Sequence, residues 1–200
     1  MTYSNNNINK NNERRDIGDE ILDWFESFIF SMFVILLIFT FLLRLVEVEG
    51  TSMLPTLENG DRLVISHLFY KPKQGDVVVL NSEGLNKTIV KRVIATERQT
   101  VVIDYEANTV EVNGELIDEP FLSGDSIDME DSSKFSSKYL NSETGKYVYR
   151  VPNGCIFVLG DNRNMSSDSR VSSVGFVKVS DVLGKAVFRL FPFGSIGRIK

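Results

Sequence analysis

A mainly β fold is predicted, an antiparallel β-sheet domain with a small insertion, preceded by one N-terminal membrane-spanning helix. Three features predict it. An uncharged apolar stretch runs from Phe28 to Leu43 near the start of the chain. Beyond Val46 the pattern changes to short runs rich in β-branched residues, broken by turn signals such as Glu-Asn-Gly-Asp, Lys-Gln-Gly-Asp and Val-Asn-Gly-Glu. A Ser/Asp/Lys-rich stretch over residues 122–146 then interrupts the β pattern.

Residues 1–27 are polar, and the Asn/Lys-rich opening buries nothing, so disorder is expected there. From Ile17 a helical register begins, with Ile21, Leu22, Phe25, Phe28 and Ile29 at three- and four-residue spacings. It reads as an interfacial lead-in with Trp24 at headgroup level. Between Phe28 and Leu43 only Ser31 and Thr40 are polar. Extension to Val46, with Arg44 snorkelling, gives a span over residues 28–46 long enough for a hydrocarbon core of about 30 Å. The stretch is apolar on every face, whereas a helix packed on a soluble core needs a polar stripe. It ends without a small-x-small site and so reads as an uncleaved anchor. Lys10, Arg14 and Arg15 precede it and Arg62 is the first basic residue well beyond it, which predicts a cytoplasmic N-terminus in the cell membrane and an extracytoplasmic domain over residues 47–200.

Strands are expected over residues 62–66, 76–80, 88–94, 100–103, 109–112, 155–159 and 184–190. The 122–146 stretch is expected to be a loop or small insertion on this scaffold.

Composition excludes several functions. A net charge of −5 without a basic block argues against nucleic acid. One cysteine, Cys155, allows no internal disulfide and no Cys-rich metal site, and its setting in Cys-Ile-Phe-Val-Leu reads as a buried small hydrophobe. One histidine, His67, rules out a three-histidine zinc site.

The chemistry is expected at Ser52, in Glu-Gly-Thr-Ser-Met-Leu-Pro-Thr-Leu (49–57). At about 3.3–3.6 Å per residue, Ser52 lies no more than roughly 20 Å along the chain from Val46, close to the bilayer if the apolar stretch spans it. Gly50 is expected to allow close backbone approach, and Pro55 to fix the exit from the turn. Met53, Leu54 and Pro55 are expected to touch lipid or an apolar substrate. A serine hydroxyl is a weak nucleophile until a base takes its proton. His67 is one available base. Lys91 is another: in Thr-Ile-Val-Lys-Arg-Val-Ile it shares a strand face with Ile89 and Val93, away from Val90 and Arg92, so burial would lower its pKa. A third region is the loop Gly160-Asp-Asn-Arg-Asn-Met-Ser-Ser-Asp-Ser-Arg170, where Asp168 and Arg170 can pair and Ser166 or Ser169 can orient an amine.

Together, Gly-Thr-Ser-Met-Leu-Pro-Thr (50–56), Gly-Asp-Arg-Leu-Val (60–64), Lys-Arg-Val-Ile (91–94), Gly-Asp-Asn-Arg (160–163), Ser166 and Asp168-Ser169-Arg170 resemble the type I signal peptidases of Gram-positive type, membrane-anchored Ser-Lys proteases. The resemblance covers essentially residues 28–193 except the insertion, and it extends to the closing Gly-Lys-Ala-Val-Phe-Arg-Leu-Phe-Pro-Phe. It implies Ser52 as nucleophile, Lys91 as general base and Ser166 orienting the lysine. Asp168 and Arg170, with Asp161 and Arg163, would brace the site. The Ser52 N–H would hold the oxyanion, and Gly50, standing where some relatives carry a hydroxyl, cannot assist. The resemblance further implies signal-peptide-bearing preproteins as substrates, no metal or cofactor, and a monomer working at the bilayer. Two departures stand out. Ala-Thr-Glu-Arg-Gln follows Lys-Arg-Val-Ile where Gly-x-Pro-Gly-Asp is usual, which predicts a different turn, and Asn164-Met165 replaces a common Asp-Asn. Two rival readings are a transpeptidase using Cys155, His67 and Arg170, and a non-enzymatic membrane-tethered binding module on a protease scaffold.

Overall fold

The computed structural model of the chain describes residues 17–67, 69–122 and 137–199. The expected disordered opening and most of the 122–146 insertion lie outside them. The chain divides into two units, Met1–Phe41 and Leu42–Lys200.

In the first unit, helix α1 runs Ile17–Leu42. Apolar side chains stand exposed all along its described part, including Trp24, Phe25, Phe28, Phe30, Phe33 and Leu36. Among the described residues no helix is long and apolar enough to cross a membrane. The helix begins at Ile17, where the helical register was expected, but stops at Leu42, short of the expected end at Val46, because Leu43–Glu47 pairs as a strand with Arg62–Ser66. The interleaved Leu-Arg-Leu-Val-Glu satisfies its backbone on a neighbouring strand instead of within a helix.

The second unit is antiparallel throughout. In chain order its strands are β1 (Leu43–Glu47), β2 (Arg62–Ser66), β3 (Val77–Ser82), β4 (Lys87–Ala95), β5 (Thr100–Asp104), β6 (Thr109–Val112), β7 (Glu115–Leu116), β8 (Tyr147–Arg150), β9 (Cys155–Leu159), β10 (Val177–Lys178), β11 (Val182–Phe191) and β12 (Gly197–Arg198). The larger sheet has the order β1-β2-β11-β3-β4-β9-β10, with β12 beside β11, and the smaller has the order β7-β6-β5-β8. Every expected run became a strand, with ends shifted by at most two residues. The Val-Asn-Gly-Glu signal forms the tight β6–β7 turn, with Asn113 and Gly114 both at positive φ.

Three apolar clusters hold the unit together. One joins the inner face of the smaller sheet, with Val101, Ile103, Val112 and Tyr149, to Ile94, Phe157 and Leu159 of the larger. The second gathers Val48, Met53, Leu57, Leu63, Val79 and Val90. The third gathers Val78, Leu80, Ile89, Val93, Ile156 and Val158. Strand β4 is buried on both faces from Ile89 to Ala95, so its polar members, Lys91 and Arg92, are interior residues. Each fully buried aliphatic side chain contributes about 1.5–3 kcal/mol.

The turn after β4 is held by its own side chains. The Gln99 side chain accepts from the Thr96 backbone N–H at 2.7 Å, and Arg98 takes a φ of 66°, a conformation in which glycine is comfortable.

Candidate active site

The segment carrying Ser52 leaves β1 and is pinned at both ends. Val48 donates to the Asp61 carbonyl and accepts from the Gly60 N–H, both at 2.8 Å. Gly50 turns the chain at a φ of +90°, and a Cβ there would meet open space. Its requirement is therefore the left-handed backbone, not the close approach expected from sequence. Met53 and Leu57 fasten the segment into the second cluster. Met53 is 1% exposed, which overturns the lipid-facing half of its expected role, since it anchors the turn; it still borders the cleft beside Ser52. Leu54 is half-buried and Pro55 exposed.

Opposite this turn, β4 presents Lys91. Its Nζ donates to Ser52 Oγ at 2.6 Å and to the Val90 carbonyl at 3.0 Å. The lysine is 3% exposed. Burial pushes its pKa down to about 8, with the Asp168 carboxylate opposing and Lys87 assisting.

The loop after β9 packs behind the pair. Asp161 takes a two-pronged contact from Arg92, Nε to Oδ1 at 2.8 Å and a terminal nitrogen to Oδ2 at 2.7 Å, and also accepts from the Thr56 hydroxyl. Arg92 further donates to the Gly75 carbonyl at 2.9 Å, and its guanidinium lies 3.8 Å above the centre of the Phe121 ring. Asp168 and Arg170 form a second two-pronged pair at 2.8 and 2.9 Å, both residues wholly buried. Burial pushes the Asp168 carboxyl up, but Arg170 and the Gly160 N–H overcome that and hold it below the usual carboxylate range. Arg163 donates through Nε to the Gly160 carbonyl at 3.0 Å and pairs with Glu119. Gly160 itself is irreplaceable by shape: a Cβ would fall 2.5 Å from the Ser52 carbonyl and 2.2 Å from Ser166 Oγ. The Asn162 N–H completes the junction by donating to the Ser52 carbonyl at 3.0 Å.

Of the residues singled out in the sequence, Ser52, Lys91, Asp161, Arg163, Asp168 and Arg170 thus come together. Ser166 is brought to the same place, yet its buried hydroxyl faces the Asp168 carboxylate without completing a hydrogen bond to it or to Lys91. Ser169 is spent on the Val158 N–H. Sequence reasoning missed Thr56, Glu119, Phe121 and Asn162. Nothing local marks their contacts, which join segments 29 to 111 residues apart. Arg92 was visible in the Lys-Arg pair but was read only as the opposite face.

Ser52 and Lys91 open into a cleft of about 490 Å³. One wall is the segment 46–53 and the other is β4 from Lys87 to Lys91, with Leu85 and Met165 at the rims. Strand β4 pairs with β3 over Lys87–Arg92 but with β9 only from Arg92 onward. Among the described residues its other edge is therefore unpaired along the cleft. His67 and Cys155 do not line this cleft. Cys155 opens β9, half-buried against the first cluster, and Arg170 is committed to Asp168, so the transpeptidase trio is not assembled.

A serine hydroxyl in contact with a buried amine, beside a strand edge unpaired among the described residues, is an arrangement suited to a serine hydrolase. The family described as signal peptidase, peptidase S26, matches residues 21–191. The signal peptidase I of Bacillus caldolyticus is 40% identical over 149 residues, covering 73% of this chain and 78% of that protein. Signal peptidase I T of Bacillus subtilis is 32% identical over 198 residues, 97% of each chain. Signal peptidase IB of Staphylococcus aureus is 34% identical over 184 residues, 87% of this chain and 91% of that one. A crystal structure of a signal peptidase I from Enterococcus faecalis, 28% identical, aligns with a TM-score of 0.43 over 59% of this chain and 98% of the other. The chain belongs to the signal peptidase family S26, a family of serine endopeptidases.

Proposed function

We propose that this protein removes N-terminal signal peptides from exported preproteins, with Ser52 as nucleophile and Lys91 as general base. The observation that carries the reading is the 2.6 Å contact between Ser52 Oγ and the amine of a lysine only 3% exposed. The neutral amine takes the Ser52 proton as the hydroxyl attacks the scissile carbonyl. The Ser52 N–H receives the developing oxyanion. Collapse breaks the C–N bond, and the Lys91 ammonium returns its proton to the leaving amine, the new N-terminus of the mature protein. A water then gives its proton to Lys91 and attacks the ester, which releases the signal peptide and restores the serine.

The open edge of β4 supplies the docking surface. An extended substrate segment adds there as a strand, with backbone hydrogen bonds giving affinity. Five residues, Lys87 to Lys91, span about 16 Å at roughly 3.3 Å each, enough to fix the residues leading to the scissile bond. Asp168–Arg170 and Arg92–Asp161, with Arg163, keep the two site segments in register, and Ser166 is poised beside them to orient the amine.

The helix α1 is the membrane tether in this reading. Exposed apolar residues along it support a membrane anchor. Lys10, Arg14 and Arg15 ahead of it support a cytoplasmic N-terminus. The outer domain then begins at Leu43, where β1 joins the sheet. The protein acts as a monomer on substrates delivered in the bilayer.

Cleavage of a detergent-solubilised preprotein by wild type, Ser52→Ala and Lys91→Ala tests the dyad. The expected result is correct processing by wild type and loss of at least about 10³-fold in both variants, with folding intact. Wild-type rates in Lys91→Ala would move the base elsewhere, and an inactive wild type would favour a binding module.

A further inference from the structure

The segment Glu119-Pro120-Phe121 lies between β7 and the 122–146 insertion, outside every motif read from the sequence. It nevertheless reaches two of the arginines behind the candidate dyad, Arg163 and Arg92. Glu119 embraces Arg163, a guanidinium 1% exposed, with one carboxylate oxygen on each terminal nitrogen. Arg163 in turn holds the Gly160 carbonyl through Nε, and Gly160 is the residue pressed against the Ser52 carbonyl and Ser166 Oγ. Two residues on, Phe121 supports Arg92 at 3.8 Å, and Arg92 holds Asp161, which accepts from Thr56 in the nucleophile segment.

We infer that Glu119 and Phe121 are positioning residues for Ser52: this short stem ties the base of the insertion to the nucleophile turn by two separate routes. The inference rests on the Ser52–Lys91 reading and extends it. Neither residue lines the cleft, so neither acts on substrate directly. The charge on Glu119 fixes where the Arg163 guanidinium points, and a guanidinium released from its carboxylate in a water-poor interior turns toward other acceptors. Gly160 then loses its restraint, and with it the Ser52 carbonyl loses the surface that seats it. A displacement of about 1 Å at a reacting atom costs up to about 10²-fold in rate. The defect belongs to kcat, because the cleft walls that bind substrate are left alone.

The test uses the full-length protein in detergent with a preprotein substrate, comparing wild type, Ser52→Ala, Glu119→Gln, Glu119→Asp and Phe121→Leu. Rates are normalised to the folded fraction read by circular dichroism. Glu119→Gln is expected to lower kcat about tenfold, with KM within twofold of wild type. Glu119→Asp, which keeps the charge, is expected to recover at least half of the lost rate on a logarithmic scale. Phe121→Leu, which keeps an apolar contact but no ring face, is expected to lose about threefold in kcat. If Glu119→Gln and Phe121→Leu turn over within twofold of wild type, while Ser52→Ala is dead, the positioning role is wrong and the dyad stands. A rise in KM with kcat unchanged also overturns it. Should Glu119→Gln fail to fold, Glu119→Asp and Phe121→Leu decide by the same split. A wild type that cleaves nothing overturns the parent reading, and this one with it.

Discussion

At the scale of single residues, Lys91 is held where its charge is least welcome. Lowered to about 8 by burial, the amine is partly neutral at physiological pH. Only the neutral form can accept a proton, so kcat/KM is expected to rise about tenfold per pH unit up to about 8 and to level off above it. A flat profile from pH 6 to 9 would exclude Lys91 as base. The same depression governs stability. An unfolded lysine titrates near 10.4, so between about 8 and 10.4 the unfolded chain binds one proton more than the folded one, and stability rises with pH across that window. The full difference is about 3 kcal/mol, missing below pH 8 and recovered above 10.4. Lys91→Met removes this penalty along with the activity. Thermal melts are expected to place the variant above wild type at pH 7, with the gap closing toward pH 10; a constant gap would mean that the lysine is not depressed. Ser52 and Lys91 were singled out in the sequence because several short motifs stand together in the order of the signal peptidases. By residue type alone the serine could be a turn residue, and His67 an equal candidate for the base. Arg92 paired with Asp161 was not singled out, because such a contact is a property of where two distant loops land.

At the scale of elements, alternation and turn residues made the strands legible, and the failures have physical causes. Strand β1 follows a long apolar run without a break, so nothing in Phe-Leu-Leu-Arg-Leu-Val announces that the hydrogen bonding changes from local to cross-strand at Leu43. Strand β8, Tyr-Val-Tyr-Arg, is short and stands just after the polar stretch, where its two inward tyrosines were overlooked. The turn after β4, where Ala-Thr-Glu-Arg-Gln stands, carries a visible cost. Arg98 sits at a φ of 66°, held by hydrogen bonds from its backbone N–H to the Val151 carbonyl and from Nε to Asn153. A non-glycine residue in this region costs about 1–2 kcal/mol, partly offset by the extra freedom glycine has when unfolded. Arg98→Gly is therefore expected to stabilise by about 0.5–1 kcal/mol with unchanged kcat. A loss of stability in denaturant titration would show that the Asn153 contact outweighs the strain.

For the molecule as a whole, the division after Phe41 separates the apolar helix from a unit with its own three-part core. Chemistry and delivery should then be separable. A chain lacking residues 1–41 is expected to stay folded and to cleave a short soluble signal-peptide substrate with kcat/KM within about threefold of the full chain. On a preprotein embedded in vesicles it is expected to lose tenfold or more, because the tether no longer raises the local concentration of enzyme at the bilayer. Equal losses on both substrates would mean that α1 contributes to the catalytic unit itself.

The unpaired edge of β4 has a further consequence. Exposed strand edges are templates on which other copies of a protein pair and aggregate, and most sheets blunt or bury them. On the proposed mode of substrate docking this one cannot be blunted, since the substrate zips onto it. It is instead set into a cleft whose far wall, residues 46–53, leaves no open flank for a second sheet, with the exposed Lys87 standing at its outer end. A lone extended peptide can thread that slot, while the rigid edge of a neighbouring molecule cannot. On that reading the slot keeps a sticky surface ready for substrate while guarding it against self-pairing.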